Sequence, residues 1–186
     1  MAMPMREEFP EDEGWVEADL DQLPENGNRY ELIDGGFHVT PPANDGHNEI
    51  GVDLIIALRA AAPAGWRVIY EMGVRVPAGN VIPDLVVLRP EAARDVHWRE
   101  AADVALAVEI ESKTTRRYDR FTKPELYSEA GIRSYWRVER HSDGLLLHAY
   151  ELADGRYEHV ASVPAGQSWQ ANQPFPVLVV PGRWGS

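Results

Sequence analysis

A chain of 186 residues, 44% hydrophobic and 26% charged, has the length and composition of one folded domain with a real core, which excludes wholesale disorder. Zero cysteines exclude disulfides and thiolate metal sites; no apolar run approaches the roughly 18 residues that span a bilayer, and the acidic N-terminus lacks a signal peptide's apolar core, so a cytoplasmic address and no membrane partner are expected. The formal net charge of −12 argues against a protein that coats nucleic acid by bulk electrostatics.

Residues 1–25 read as an acidic leader, since positions 7–25 carry acids and no basic residue, and residues 26–182 as a single domain. Two alternating runs, Arg29–Asp34 and Phe37–Thr40, flank Gly35 and Gly36 and predict a β-hairpin, ended by Pro41 and Pro42. Asp45 caps a predicted helix from about Gly46 to Ala62, because Ile50, Leu54, Leu58, Ala61 and Ala62 form one apolar stripe; Pro63 and Gly65 stop it. Trp66–Val76 reads as a strand and Pro77–Asn80 as a turn. Val81–Leu88 reads as a second strand, with Pro83 near its start, where a missing donor does least harm. Val104–Ile110 is the third, and its apolar run marks it as buried on both faces. Thr122 then caps a predicted helix to Ala130, with Pro124 in the first turn and Gly131 as terminator. Ser134–Glu139 is a fourth strand, and turns at Gly144, Gly155 and Gly166 predict a β-meander ending in Phe175–Val180. The order is hairpin, helix, three strands, helix, strand, meander, which makes an α/β domain.

Glu109 is the physical oddity, an acid inside the apolar run Val104–Ile110, where an unpaired ionised carboxylate is costly. Asp84 raises a milder version of the problem, because Leu85, Val86, Val87 and Leu88 follow it directly. Either each acid lies at a strand end, solvated or paired with an arginine, or a divalent cation between them resolves both; Mg2+ or Mn2+ suits carboxylate oxygens. An acid after proline, an acid inside the next apolar strand and then a basic cluster is the layout of a PD-(D/E)xK site, where metal on two carboxylates activates water for phosphodiester hydrolysis. Strand alternation puts Glu111 on the same face as Glu109, in the place where that motif has lysine. This extra carboxylate either joins the metal site or repels phosphate and leaves the protein inert. A lysine from a neighbouring helix could instead steady the attacking water; Lys123 is the first candidate and Lys113 the second. Lys113, Arg116, Arg117 and Arg120 form a basic stretch, read either as a solvated face or as a contact to nucleic-acid phosphates. Trp66, Trp98, Trp136 and Trp169 read as packing residues rather than base-stacking platforms.

Several separated motifs carry a family resemblance. They are Leu23 to Gly35, His47, Pro83-Asp84 with the apolar run after it, Val108-Glu109-Ile110 followed by Ser112, and Thr115 to Asp119, continuing with Lys123, Tyr127, Ala130 to Ile132 and Tyr135-Trp136. Over roughly residues 14–181 the chain resembles the Uma-type endonuclease family, a large bacterial branch of the PD-(D/E)xK superfamily. The resemblance implies a restriction-endonuclease-like core, a mixed β-sheet flanked by helices, with the hairpin at its N-terminal side and the meander at its C-terminal side. It also implies Asp84 and Glu109 as metal ligands, Lys123 as the displaced lysine, and site positions at Glu31 and His47. The expected activity is Mg2+- or Mn2+-dependent endonucleolytic hydrolysis of nucleic acid, DNA first, with a homodimer as the assembly because many nucleases of this fold cut as dimers. The competing expectation is an inert nuclease-fold protein that binds or regulates, its acidic leader shielding the basic stretch.

Overall fold

The computed structural model of the chain describes residues 14–112 and 115–185. A single helical turn, α1 (Glu17–Leu20), precedes the hairpin β1 (Arg29–Ile33) and β2 (Gly36–Thr40), and the long helix α2 (Asp45–Ala61) follows. Five short strands come next: β3 (Arg67–Tyr70), β4 (Gly73–Val76), β5 (Gly79–Val81), β6 (Leu85–Leu88) and β7 (Trp98–Glu100). The buried strand β8 (Val104–Ile110) leads through a π-helical turn at Tyr118–Thr122 directly into α3 (Lys123–Glu129). Then come β9 (Ser134–His141), β10 (Gly144–Ala153), β11 (Arg156–Pro164), β12 (Trp169–Ala171) and β13 (Val177–Val179).

The strands form a six-stranded mixed sheet in the order β11-β10-β9-β8-β6-β3, a five-stranded sheet β2-β1-β5-β4-β7, and the pair β12-β13. β8 and β9 run parallel, joined by the crossover through α3, and the other neighbours in the six-stranded sheet are antiparallel. One face of this sheet packs Leu85, Val87, Leu106, Val108 and Ile110 against α2 and the β13 segment. On α2, Ile50, Leu54 and Leu58 are all buried; removing such side chains from water stabilises by roughly 1.5–3 kcal/mol each. The other face packs Val86, Leu88, Ala107 and Tyr135 against Val74, Val76 and Val81 of the smaller sheet and Leu126 and Tyr127 of α3. β8 is therefore buried on both faces, as its apolar run predicts.

The predicted strands Trp66–Val76 and Val81–Leu88 are both broken. Their halves form one antiparallel hairpin whose register is the same on either side of a bend: Tyr70 pairs with Leu85, and Val74 with Val81. The bend lies at Glu71, whose φ of 47° is in the left-handed region, and at Ile82-Pro83-Asp84 opposite. It folds β4 and β5 out of the large sheet and into the small one. Gly73 permits the fold to close, because a Cβ there would meet the Trp98 ring at 2.4 Å. Residues 77–80, expected as a turn, include the start of β5, and β7 was not anticipated at all. Asn44, not Asp45, caps α2, its side chain accepting from the His47 N–H at 3.0 Å. Thr122 makes no side-chain cap, because the π turn already supplies helical backbone before Lys123.

The acidic leader lies outside the described residues up to position 13. From Gly14 onward it packs on the small sheet: the Trp15 N–H donates to Gly35 at 2.9 Å, and Glu17 binds Arg75 at 2.7 and 2.8 Å and Asn80 at 2.7 Å. No helix among the described residues is long and apolar enough to cross a membrane.

Candidate functional site

The bent hairpin builds the site. At the bend the chain leaves one sheet for the other, so its backbone donors need partners from elsewhere. The Ile82 N–H donates to the Glu31 carboxylate at 2.7 Å, Pro83 has no donor to satisfy, and the Glu71 N–H donates to the Asp84 carbonyl at 2.9 Å. The Asp84 side chain turns inward and accepts from the Ile110 N–H at the end of β8 at 2.7 Å. Arg29 donates to its other oxygen at 2.5 Å, and His47 Nε2, in the first turn of α2, lies 3.2 Å from Oδ2.

Glu109 faces the same place from β8. Its Oε1 accepts from the Tyr127 hydroxyl at 2.5 Å, and Lys123 Nζ lies 3.0 and 3.1 Å from its two oxygens. Lys123 and Tyr127 stand four residues apart on α3 and so share the face that looks down on β8. Lys123 also reaches Glu31 at 3.2 Å. The π turn adds Asp119, which accepts from the Thr115 hydroxyl at 2.5 Å, and Tyr118, whose ring stacks on His38 of β2 with centroids 3.9 Å apart. Glu31, Asp84, Glu109, Asp119 and Lys123 are all 4% exposed or less.

These groups surround a cavity of about 10 Å³, roughly the room one water molecule needs. Four carboxyl groups, those of Glu31, Asp84, Glu109 and Asp119, face two fixed cations, Arg29 and Lys123, leaving two negative charges in excess if all are ionised. The electrostatics record this crowding. Burial pushes Glu109 well above the usual carboxylate range; Lys123 opposes the shift, but Asp84, Asp119 and Glu31 reinforce it. Burial pushes Asp119 up to about 6. Asp84 goes the other way: burial alone would raise it, but the His47 bond and the charges of His47 and Arg29 hold it well below the usual range. Lys123, which burial alone would discharge, is held protonated by Glu109 and Glu31.

The sequence readings divide accordingly. Asp84, Glu109, Lys123, Glu31 and His47 converge on one centre. Glu111 does not point there: Arg116 binds one of its oxygens at 2.7 Å and Arg120 the other at 2.6 Å, and Arg120 continues to Glu139 at 2.8 Å. Glu111 stays in the ladder, its N–H donating to the Val138 carbonyl at 2.8 Å, but its carboxylate is taken up by these guanidinium groups and does not line the cavity. Both Glu111 oxygens being engaged by guanidinium groups, it is a clamp for the π turn, and the ammonium beside Glu109 is supplied by α3. Glu111→Gln is thus expected to leave Mn2+ affinity unchanged while lowering stability by roughly 1.5–3 kcal/mol, the range for a charge-assisted hydrogen bond, as read by calorimetry and thermal unfolding. A loss of Mn2+ binding would return Glu111 to the metal site.

Arg116 and Arg117 are exposed, Arg120 is partly covered, and Lys113 lies outside the described residues. Arg29, Asp119 and Tyr127 were missed as site residues. Their signals were positional: Arg29 precedes Glu31 by two on a strand, and Asp119 and Tyr127 flank Lys123 by four on either side.

The mixed sheet with this centre at the mouth of its parallel pair is a nuclease-like architecture. The crystal structure of a "putative nuclease belonging to DUF820" from Anabaena variabilis matches with a TM-score of 0.68 at 13% identity, over 83% of this chain and 87% of that one. A likeness at that identity speaks for the fold. The family model described as "Putative restriction endonuclease", Uma2, matches residues 17–181, and the chain belongs to that family. No curated protein matches the chain.

Proposed function

We propose that the chain is a divalent-metal-dependent endonuclease hydrolysing phosphodiester bonds of DNA, with Asp84 and Glu109 as the carboxylates that hold Mg2+ or Mn2+. The observation that carries this reading is the convergence of Asp84, Glu109 and Lys123 on one buried cavity whose acids outnumber its fixed cations by two. That excess matches the charge of one divalent ion, and hard carboxylate oxygens are the donors these ions take. Among the described residues no three acid or histidine side chains form a ready-made metal cage. Mg2+ ordinarily takes one or two carboxylates from the protein and fills its shell with water and phosphate oxygens, so two suffice. When bound, the cation would supply Lewis-acid activation of water and phosphate.

The protein's own groups have distinct tasks. Arg29 and His47 fix the Asp84 carboxylate, and Tyr127 orients that of Glu109. Lys123 keeps its proton and sets a full positive charge beside Glu109, where it can orient water and offset charge developing on phosphate. Glu31 holds Lys123 and pins the bend that presents Asp84, so Glu31 and His47 act as positioning residues. Arg116 and Arg117 lie outside, available to the nucleic-acid backbone.

The test is calorimetric titration of Mn2+ into the full chain, followed by cleavage of supercoiled plasmid. Protons and metal compete for the Glu109 carboxylate, which releases its proton late, and the charge of neighbouring Asp119, which favours a cation there, develops at about 6. Affinity is expected to strengthen as pH rises through about 6 and to be lost on acidification. Absence of Mn2+ binding both with and without a non-hydrolysable oligonucleotide would remove the proposal. Tight binding without cleavage of any nucleic acid would favour the inert, binding reading.

A further inference from the structure

Phe121 is the only Phe, Tyr or Trp among the described residues that is exposed, and at 70% it exceeds every other exposed large hydrophobic side chain among them. Its position is specific. Within the π-helical turn Tyr118–Thr122, Asp119 and Lys123 on either side point into the acidic cavity while Phe121 points away from it. A π turn packs more residues into a turn than an α-helix, and such turns recur at functional sites. Arg116 and Arg117 precede Phe121 with exposed side chains, and Arg120 adjoins it.

This segment is held rigidly. Buried Glu111 grips Arg116 and Arg120, Tyr135 donates to the Asp119 carbonyl at 2.6 Å, and Tyr118 stacks on His38. The result is an apolar ring presented to solvent from a braced turn that also carries Arg116, Arg117 and Arg120, and whose Tyr118 and Asp119 line the cavity. An exposed phenyl on a segment that also exposes Arg116 and Arg117 suits a ligand with both a flat apolar face and negative charge, which is what a nucleotide offers.

We infer that Phe121 is a base-stacking residue, engaging a nucleobase next to the phosphodiester that enters the site, with Arg116 and Arg117 on the flanking phosphates. This rests on the nuclease reading above and deepens it. The nucleobase can come from a single strand or from a duplex step wedged open by the ring.

The experiment compares the parent, Phe121→Ala, Phe121→Trp and Arg117→Ala as full chains. Binding is measured in Ca2+ to single-stranded and duplex oligonucleotides that carry 2-aminopurine, with Mn2+ titration as a control. Phe121→Ala is expected to weaken binding by about tenfold or more, without changing Mn2+ affinity or the salt dependence of binding. Phe121→Trp should retain affinity, and Arg117→Ala should reduce the salt slope by about one. Loss of affinity for the single strand alone assigns Phe121 as a platform; a 2-aminopurine signal in the duplex that vanishes in Phe121→Ala assigns it as a wedge. Equal binding by parent and Phe121→Ala overturns the inference and leaves the nuclease reading standing. A parent that binds no nucleic acid overturns both. Unchanged nucleic-acid binding with a loss of self-association in sedimentation would make Phe121 a protein contact and likewise overturn the inference.

Discussion

Glu109→Gln is expected to abolish Mn2+ binding and plasmid cleavage while leaving the metal-free chain as stable as the parent or more so. The amide keeps the acceptor for the Tyr127 hydroxyl and nearly the same volume, so packing in the β8 layer is preserved. What it removes is a negative charge that burial and three neighbouring acids already disfavour. An acid whose folded-state pKa is raised weakens the fold above that pKa, so deleting its charge relieves the metal-free protein at neutral pH. On the proposed reading the metal loses one of its two protein carboxylates. Affinity should therefore fall by more than the roughly 10–100-fold seen when only a supporting group is lost. Asp84→Asn is the instructive contrast. Its carboxylate accepts from Arg29 and the Ile110 N–H and contacts His47, and an amide cannot accept at both ends, so this variant should lose metal and stability together. Thermal unfolding of the two metal-free variants separates the cases. A Glu109→Gln protein that is markedly less stable than the parent would contradict the electrostatic account of the site.

Lys123→Met is expected to have the largest effect on stability, about 3–5 kcal/mol, or a drop of about 6–20 °C in Tm for a chain of this size. Lys123 is 4% exposed and is the cation shared by Glu109 and Glu31; methionine fills the volume but leaves the carboxylates uncompensated. The pH dependence gives the mechanism a signature. Lys123 is held charged in the fold, so in the parent its contribution is fully present at neutral pH. In the variant the deficit comes from ionised carboxylates whose pKa values are raised, and it should shrink as pH falls and Glu109 and Asp119, the latter at about 6, take protons. A pH-independent deficit would mean that the loss is one of packing. Saturating Mn2+ should narrow the gap at neutral pH if the variant still binds it, since a ligand bound only by the folded state stabilises it.

The legible parts of the fold were those written in short-range periodicity. Apolar spacing identified α2 to within a residue, the alternating runs around Gly35 and Gly36 identified the hairpin, and the unbroken run Val104–Ile110 identified β8 with its ends. The strand Trp66–Val76 was misjudged because both halves of the bent hairpin keep strand-like residues and a common register. The break depends on the left-handed turn at Glu71 and on Glu31 capturing the Ile82 N–H from 51 residues away. No local pattern encodes a partner at that separation.

The site divides along the same line. The sequence alone determined that Glu109 is an acid in an apolar strand, that Asp84 stands before another, and that each needs water or a cation as partner, because burial of charge demands compensation wherever the chain places it. Tertiary structure decided which cation and which acids. It brought Lys123 to Glu109, added Arg29, Asp119 and Tyr127, diverted Glu111 to Arg116 and Arg120, and left Phe121 facing solvent. The physical reason is that residue type and local periodicity fix how much an acid needs a partner, whereas the partner's identity depends on how separate strands and helices are brought together in space.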